Sequence, residues 1–282
     1  MAPADSRRFS QVDVFTAEPY LGNPVAVVHD ADGLSDEAMA AFARWTNLSE
    51  TTFLLRPTDP AADYRLRIFT PGGELPFAGH PTLGSCHAWL AAGGRPAGAT
   101  DVVQECGVGL VTLRQGAHGL RFAAPPPSTD APIAEDLLRG FVAALGIPPE
   151  SVVDHRFLDN GPRWNVLLLD SAERVLTLTP DFTRLDAEHL GVVGPYPDGG
   201  PAAFELRGFA PGIGVPEDPV TGSLNAVVGQ WLTSTGRAPA EYLASQGTVL
   251  GRRGRIHVER DADGTVWVGG ATVTCIEGTV RV

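Results

Sequence analysis

Gly214-Val215-Pro216-Glu217-Asp218-Pro219-Val220-Thr221-Gly222-Ser223 sets two carboxylates, two prolines and a Thr-Gly-Ser turn ahead of an apolar run. That run, Leu224 to Leu232, reads as a helix. A helix start of this kind presents unpaired backbone N–H groups and a partial positive charge, so it holds anions. The pattern occurs twice. His80-Pro81-Thr82-Leu83-Gly84-Ser85 aligns with Asp218-Pro219-Val220-Thr221-Gly222-Ser223, with Pro, Gly and Ser in register at an offset of 138 residues. The recurrence predicts two similar halves, each aiming a helix start and one ionisable residue at a shared cleft.

The rest of the chain fits two halves. Gln11–Thr16 and Val25–Val28 read as strands around the turn Gly22-Asn23-Pro24. Ser35-Asp36-Glu37 opens a helix with a good cap and an acidic first turn. Glu50 follows at a helix-to-strand junction, and Arg65–Thr70 alternates as a strand. The apolar run Thr82 to Ala92 reads as a buried central helix. Pro125-Pro126-Pro127-Ser128 is the strongest linker signal and places domains at 1–127 and 128–282, with the last strand free to return to the first. Beyond it the pattern predicts a helix at Ile133–Leu145, a turn and strand at Asn160–Leu169 and a helix at Pro180–Leu190. Four short strands then follow the second motif, the first at Thr248-Val249-Leu250. Several strands per long apolar helix predict an α+β fold, a curved sheet around a central helix in each half.

Three ionisable residues stand out. Asp218 sits between Pro216 and Pro219, where stiff backbone fixes the carboxylate direction; a carboxylate at a helix start is ordinarily a cap, but its counterpart in the other motif is His80. A His and an Asp at equivalent helix starts can form an acid/base pair around one substrate carbon. Glu50 lies among Leu48, Phe53 and Leu54, a setting that would raise a carboxyl pKa into the range of a neutral-pH acid/base group. Gly79, Gly222 and Ser223 can offer N–H groups to a substrate carboxylate, since glycine lets backbone approach a ligand. Glu74 and Glu217 read as supporting or solvent-facing groups.

Composition removes several alternatives. The net charge of −12 and the lack of a basic stripe argue against nucleic acid. All 21 basic residues are arginine, so neither a lysine Schiff base nor a phosphate-loop lysine exists. His80 and His87 share a helix face but lack a third ligand, and no metal site is expected. Gly107-Val108-Gly109 lacks the third glycine and the helix of a dinucleotide site. Three scattered cysteines, Cys86, Cys106 and Cys275, predict a reducing cytoplasm. No apolar stretch approaches the ~18 residues of a membrane span.

The segments Val12-Asp13-Val14-Phe15-Thr16, Gly22-Asn23-Pro24, Asn47-Leu48-Ser49-Glu50-Thr51, Phe69-Thr70-Pro71, Glu74 to Thr82, Gly214 to Ser223, Gln246-Gly247 and Gly251-Arg252 span nearly the whole chain. In that order they resemble the PhzF-like (phenazine biosynthesis) family within the diaminopimelate epimerase fold. The resemblance implies two pseudosymmetric domains with a cleft between them. It also implies a cofactor-free enzyme, a homodimer, acting on small carboxylate-bearing molecules. It assigns the main acid/base role to Glu50, partner roles to His80 and Asp218, and the substrate carboxylate to Gly222 and Ser223. The thiol epimerases of this fold carry cysteines at the helix starts; here those places hold Gly79 or His80 and Asp218. Asn225 departs from the common pattern, one turn into the helix, where it can face substrate and alter its choice.

The expectation is therefore a cofactor-independent isomerase of bacterial specialised metabolism, with Glu50, His80 and Asp218 catalytic and Gly79, Gly222, Ser223 and Asn225 binding substrate. Two rivals are a C–C bond-cleaving hydrolase using the same groups and a small-molecule binding protein without catalysis.

Overall fold

The computed structural model describes residues 6–98, 100–185 and 189–282. The chain divides into two compact units, Met1–Ala123 with Gly269–Val282, and Ala124–Val268.

The first unit begins with strands β1 (Ser6–Val14) and β2 (Asn23–Val28), helix α1 (Asp36–Thr46), and strands β3 (Glu50–Leu55), β4 (Tyr64–Thr70) and β5 (Gly73–Leu75). Helix α2 (Gly79–Ala91) and strands β6 (Asp101–Cys106), β7 (Gly109–Gly116) and β8 (Gly119–Ala123) follow. The second unit holds β9 (Thr129–Ala131), α3 (Glu135–Leu145), β10 (Val152–Asp159), β11 (Arg163–Leu169), α4 (Ala172–Thr177), β12 (Leu190–Pro195), β13 (Phe204–Ala210) and β14 (Val215–Asp218). It continues through α5 (Gly222–Ser234), β15 (Glu241–Gln246), β16 (Gly254–Arg260) and β17 (Val266–Gly270), whose last residues re-enter the first unit before β18 (Thr272–Arg281).

Strand directions repeat as well as element order. β1–β2 is antiparallel, β2–β3 parallel, β3–β4 antiparallel and β4–β6 parallel. β10–β11, β11–β12, β12–β13 and β13–β15 show the same sequence of directions. β18 borders β1 antiparallel as β9 borders β10. The parallel pairs need crossovers, which α1 and α4 supply for β2–β3 and β11–β12, and α2 and α5 for β4–β6 and β13–β15.

Local chemistry explains the helices. Ser35 caps α1 by accepting from the Ala38 N–H, Asp36 and Glu37 occupy its first turn, and Asn47 ends it at φ 54°. α2 and α5 have apolar residues around most of their circumference, and both are buried over most of their length. Close approach is possible because Gly84 faces the sheet: a Cβ there would lie 2.4 Å from Val25 Cγ1 and 2.9 Å from Val12 Cγ2. Separate apolar cores form in the two units. Val28, Met39, Phe53 and Phe69 pack together in the first, and Phe141, Leu167, Val192 and Phe209 in the second.

Three expectations need correction. The predicted helix Pro180–Leu190 is instead one 3-10 turn, Phe182–Arg184, followed by β12 from Leu190; residues 186–188 of that stretch lie outside the described residues. Asp181 closes the turn, accepting from the Thr183 N–H at 3.1 Å and the Thr183 hydroxyl at 2.6 Å, a local alternative to helix bonding. The predicted strand Thr248-Val249-Leu250 is a 3-10 turn between Gly247 (φ 88°) and Gly251 (φ 70°), closed by Leu250 N–H to Gly247 O at 3.0 Å. Finally, Asp218 does not start a helix. It ends β14, and α5 begins at Gly222 behind the cap residue Thr221. His80, by contrast, lies inside the first turn of α2. Helix start matches helix start at Gly79 and Gly222, not at His80 and Asp218. Pro81 fits the first turn of α2, where its missing N–H has no helical partner, so the matched proline sits inside one helix and ahead of the other.

Candidate active site

In the first unit, Glu50 and His80 meet. Glu50 is the first residue of β3, entering from the left-handed turn at Asn47, and pairs with Val25 on β2. His80 is the second residue of α2 and is 3% exposed. Its Nε2 lies 3.3 Å from Glu50 Oε2. On the other side of the ring, Asn23 Nδ2 lies 3.2 Å from His80 Nδ1. An amide nitrogen donates, so Nδ1 of the neutral ring accepts, and the ring proton sits on Nε2 facing the carboxylate. Burial lowers the His80 pKa to about 3, partly offset by the Pro24 carbonyl, which favours the charged ring. At neutral pH the ring that faces Glu50 is therefore uncharged. Gly79 is buried at the helix start beside it.

Asn23 is itself held in place. Buried Asp13 accepts the Gly22 N–H at 2.9 Å, fixing the loop that delivers Asn23 to β2. Asn23 was not among the residues singled out from sequence, although it lies in the Gly-Asn-Pro turn that was read there.

The second unit gathers Asp218, Gly222, Ser223 and Asn225 around the start of α5. The Thr221 hydroxyl donates to Asp218 Oδ2 at 2.7 Å. Gln246, the last residue of β15 and fully buried, ties the group together. Its Oε1 accepts from the Thr221 N–H at 3.0 Å and from Asn225 Nδ2 at 2.9 Å. Its Nε2 lies 2.9 Å from Thr221 Oγ1 and 3.1 Å from the Asp218 carbonyl. Asn225 Nδ2 also donates to Thr221 O at 2.9 Å. Ser223 is fixed from β11 and the turn before it: Trp164 Nε1 donates to Ser223 Oγ at 3.1 Å and Asn160 Nδ2 to Ser223 O at 3.2 Å. Indole is a donor only, so the Ser223 oxygen accepts there and its proton is left to donate elsewhere.

Of the two readings of Glu217, supporting or solvent-facing, the solvent-facing one does not hold, because its side chain is withdrawn from solvent. It accepts two bonds from Arg207, at 2.9 and 2.7 Å, with both side chains under one-tenth exposed. Arg207 also donates to Val175 O and Leu178 O, anchoring β14 to α4. Glu74 is exposed and pairs with Arg67. Cys86 is buried in α2, and burial pushes its thiol pKa up to about 12, so it stays protonated. Among the described residues no group of three or more His, Cys, Asp and Glu side chains is placed to hold a metal ion, and no helix is long and apolar enough to cross a membrane. Trp164 and Arg207 had no functional signal of their own in the sequence, while Thr221 and Gln246 entered only as members of the Thr-Gly-Ser turn and the Gln246-Gly247 segment.

The PhzC-PhzF family model, described as phenazine biosynthesis-like protein, matches residues 12–278. The chain is 40% identical to antisense-enhancing sequence 1 of Schizosaccharomyces pombe, over 96% of this chain and 97% of that protein. It is 34% identical to trans-2,3-dihydro-3-hydroxyanthranilate isomerase of Pseudomonas aeruginosa, over 91% of each chain. Among solved structures, a predicted epimerase from Pseudomonas aeruginosa superposes with a TM-score of 0.81 at 29% identity, covering 97% of this chain and 99% of that one. The chain belongs to the PhzC-PhzF family and is an isomerase of the PhzF type with the α+β fold expected from its sequence.

Proposed function

We propose that this family member moves a proton on a small carboxylate-bearing substrate without a cofactor, with Glu50 as the acid/base group. The observation that carries the reading is the contact between Glu50 Oε2 and His80 Nε2 at 3.3 Å. A neutral ring nitrogen orients the carboxylate without neutralising it, so Glu50 keeps the capacity to accept a proton from carbon and return it at a second position. The Asn23 bond holds the ring in the required tautomer. Asp218 is assigned to orienting substrate and stabilising developing charge. Gly79, Gly222 and Ser223 are assigned to its carboxylate, with the directed Ser223 proton as a donor, and Asn225 to substrate choice.

The first compound to assay is trans-2,3-dihydro-3-hydroxyanthranilate, the substrate in the name of the Pseudomonas aeruginosa relative. Glu50→Gln keeps the shape and removes the base. The expected loss of turnover is about 10²–10⁴-fold with the melting temperature unchanged. In heavy water the wild-type product gains deuterium at carbon and keeps its skeleton; cleavage into two fragments would instead support C–C hydrolysis. Near-wild-type turnover in Glu50→Gln sinks the assignment.

A further inference from the structure

We propose that Gln246 is a positioning residue: it dictates that the Thr221 hydroxyl gives its proton to Asp218. The argument follows from groups whose polarity is not adjustable. A backbone N–H only donates, and the Thr221 N–H faces Gln246 Oε1 at 3.0 Å. A backbone carbonyl only accepts, and the Asp218 carbonyl faces Gln246 Nε2 at 3.1 Å. These two partners of opposite sign leave the Gln246 amide one orientation. Asn225 Nδ2 reinforces it by donating to the same Oε1 at 2.9 Å.

With the amide set, its Nε2 donates to Thr221 Oγ1 at 2.9 Å. The hydroxyl thereby receives a bond from Gln246 and turns its own proton to Asp218 Oδ2 at 2.7 Å. Asp218 Oδ2 is committed as an acceptor. Thr221 consequently makes no side-chain cap to its own helix, an arrangement that costs α5 a cap bond and serves the carboxylate instead. The cluster also requires a bare backbone opposite. Gly208 pairs with Asp218 across β13 and β14, and a Cβ on it would lie 2.8 Å from Thr221 Oγ1. The same logic orients Asn225: its Nδ2 is engaged by Thr221 O and Gln246 Oε1, and its buried Oδ1 is the face without a hydrogen-bond partner among the described residues.

The bearing of this arrangement on turnover rests on the assignment of Asp218 to the isomerase site. The orientation itself can be read without substrate. In the full chain, the 13C-carboxyl signal of Asp218 is assigned by its loss in Asp218→Asn and titrated. Thr221→Val deletes the hydroxyl donor and raises the midpoint by about one pH unit. Gln246→Met keeps the chain length, removes the bond that directs the hydroxyl, and raises the midpoint by part of that shift. The double variant titrates with Thr221→Val alone, because Gln246 acts through the hydroxyl. Glu217, beside Asp218 in sequence, and its partner Arg207 stay in place in every variant. Should Gln246→Met not fold, Gln246→Glu keeps the acceptor and removes the donor; its added charge by itself raises the Asp218 midpoint, so the reading there is whether adding Thr221→Val raises it further, and no further rise is expected. A wild-type midpoint in the Gln246 variant, or additive shifts in the double variant, overturns the proposal. Glu50→Gln reports on turnover and this titration does not, so either result can fail without the other.

Discussion

His80 Nε2 and Glu50 Oε2 are 3.3 Å apart, joining the first turn of α2 to the first residue of β3. The two residues are 30 positions apart in sequence and neither belongs to a local motif with the other. Their meeting depends on β2 running parallel to β3 while delivering Asn23 to the far side of the imidazole.

The neutral state of His80 has a thermodynamic consequence. Its folded pKa of about 3 lies below the unfolded value near 6.5. Between these values the unfolded chain binds a proton that the folded chain refuses. His80 therefore subtracts stability as pH falls from about 6.5 toward 3, by up to roughly 1.4 kcal/mol per pH unit. His80→Asn removes this contribution. The expected result is a shallower fall of the urea midpoint between pH 6.5 and 4.5. Burial also lowers His29 and His87, which act in the same direction but are common to both proteins. Identical slopes would show that His80 does not titrate as described.

Arg207 and Glu217 form a buried bidentate pair. Arg207→Met leaves an uncompensated carboxylate and should cost about 3–5 kcal/mol in denaturant unfolding. Arg207→Met with Glu217→Gln should recover most of that cost, the remainder reflecting the Val175 and Leu178 carbonyls left without their donor. A single-variant loss below ~1 kcal/mol is the contrary outcome.

Gly84 is where α2 touches β1 and β2. Gly84→Ala drives a methyl into Val25, Val12 and Val14, whose branched side chains have little rotamer freedom. A loss of about 1–3 kcal/mol is expected from thermal unfolding, against the small gain alanine gives an exposed helix position. Stabilisation would mean that the helix can slide away from the sheet.

Ser223→Ala removes the directed proton assigned to the substrate carboxylate. KM should rise about 10-fold with kcat within threefold of wild type, a split expected of a binding contact. The Trp164 indole loses its acceptor at the same time. An unchanged KM removes Ser223 from the site.

Sequence reasoning reached the α+β class and the two central helices because their signals are local: apolar runs, a Pro-Gly-Ser recurrence, a capped α1. The recurrence was right in kind and wrong in register. By sequence, Asp218 matched His80; by structure, Gly222 matches Gly79, five residues away from that alignment. A shared proline does not reveal whether it precedes a helix or occupies its first turn. The amide network around Gln246 was out of reach for another reason. Gln246 lies 25 residues beyond Thr221 at the end of β15, and a glutamine at a strand end has no periodicity to betray it. Arg207 was missed because a lone arginine in an apolar strand is indistinguishable, from sequence, from one at a surface edge.

The repeated strand order carries one last consequence. Glu50 opens β3 opposite Val25, and the residue that opens β12 opposite Asn165 is Leu190. Only one of the two matching positions bears a carboxylate. A racemase built on duplicated bases reaches a carbon from both sides and inverts it. If Glu50 is the single base, as proposed above, the proton would leave and return on the same face of the substrate, and product stereochemistry would record the asymmetry between Glu50 and Leu190.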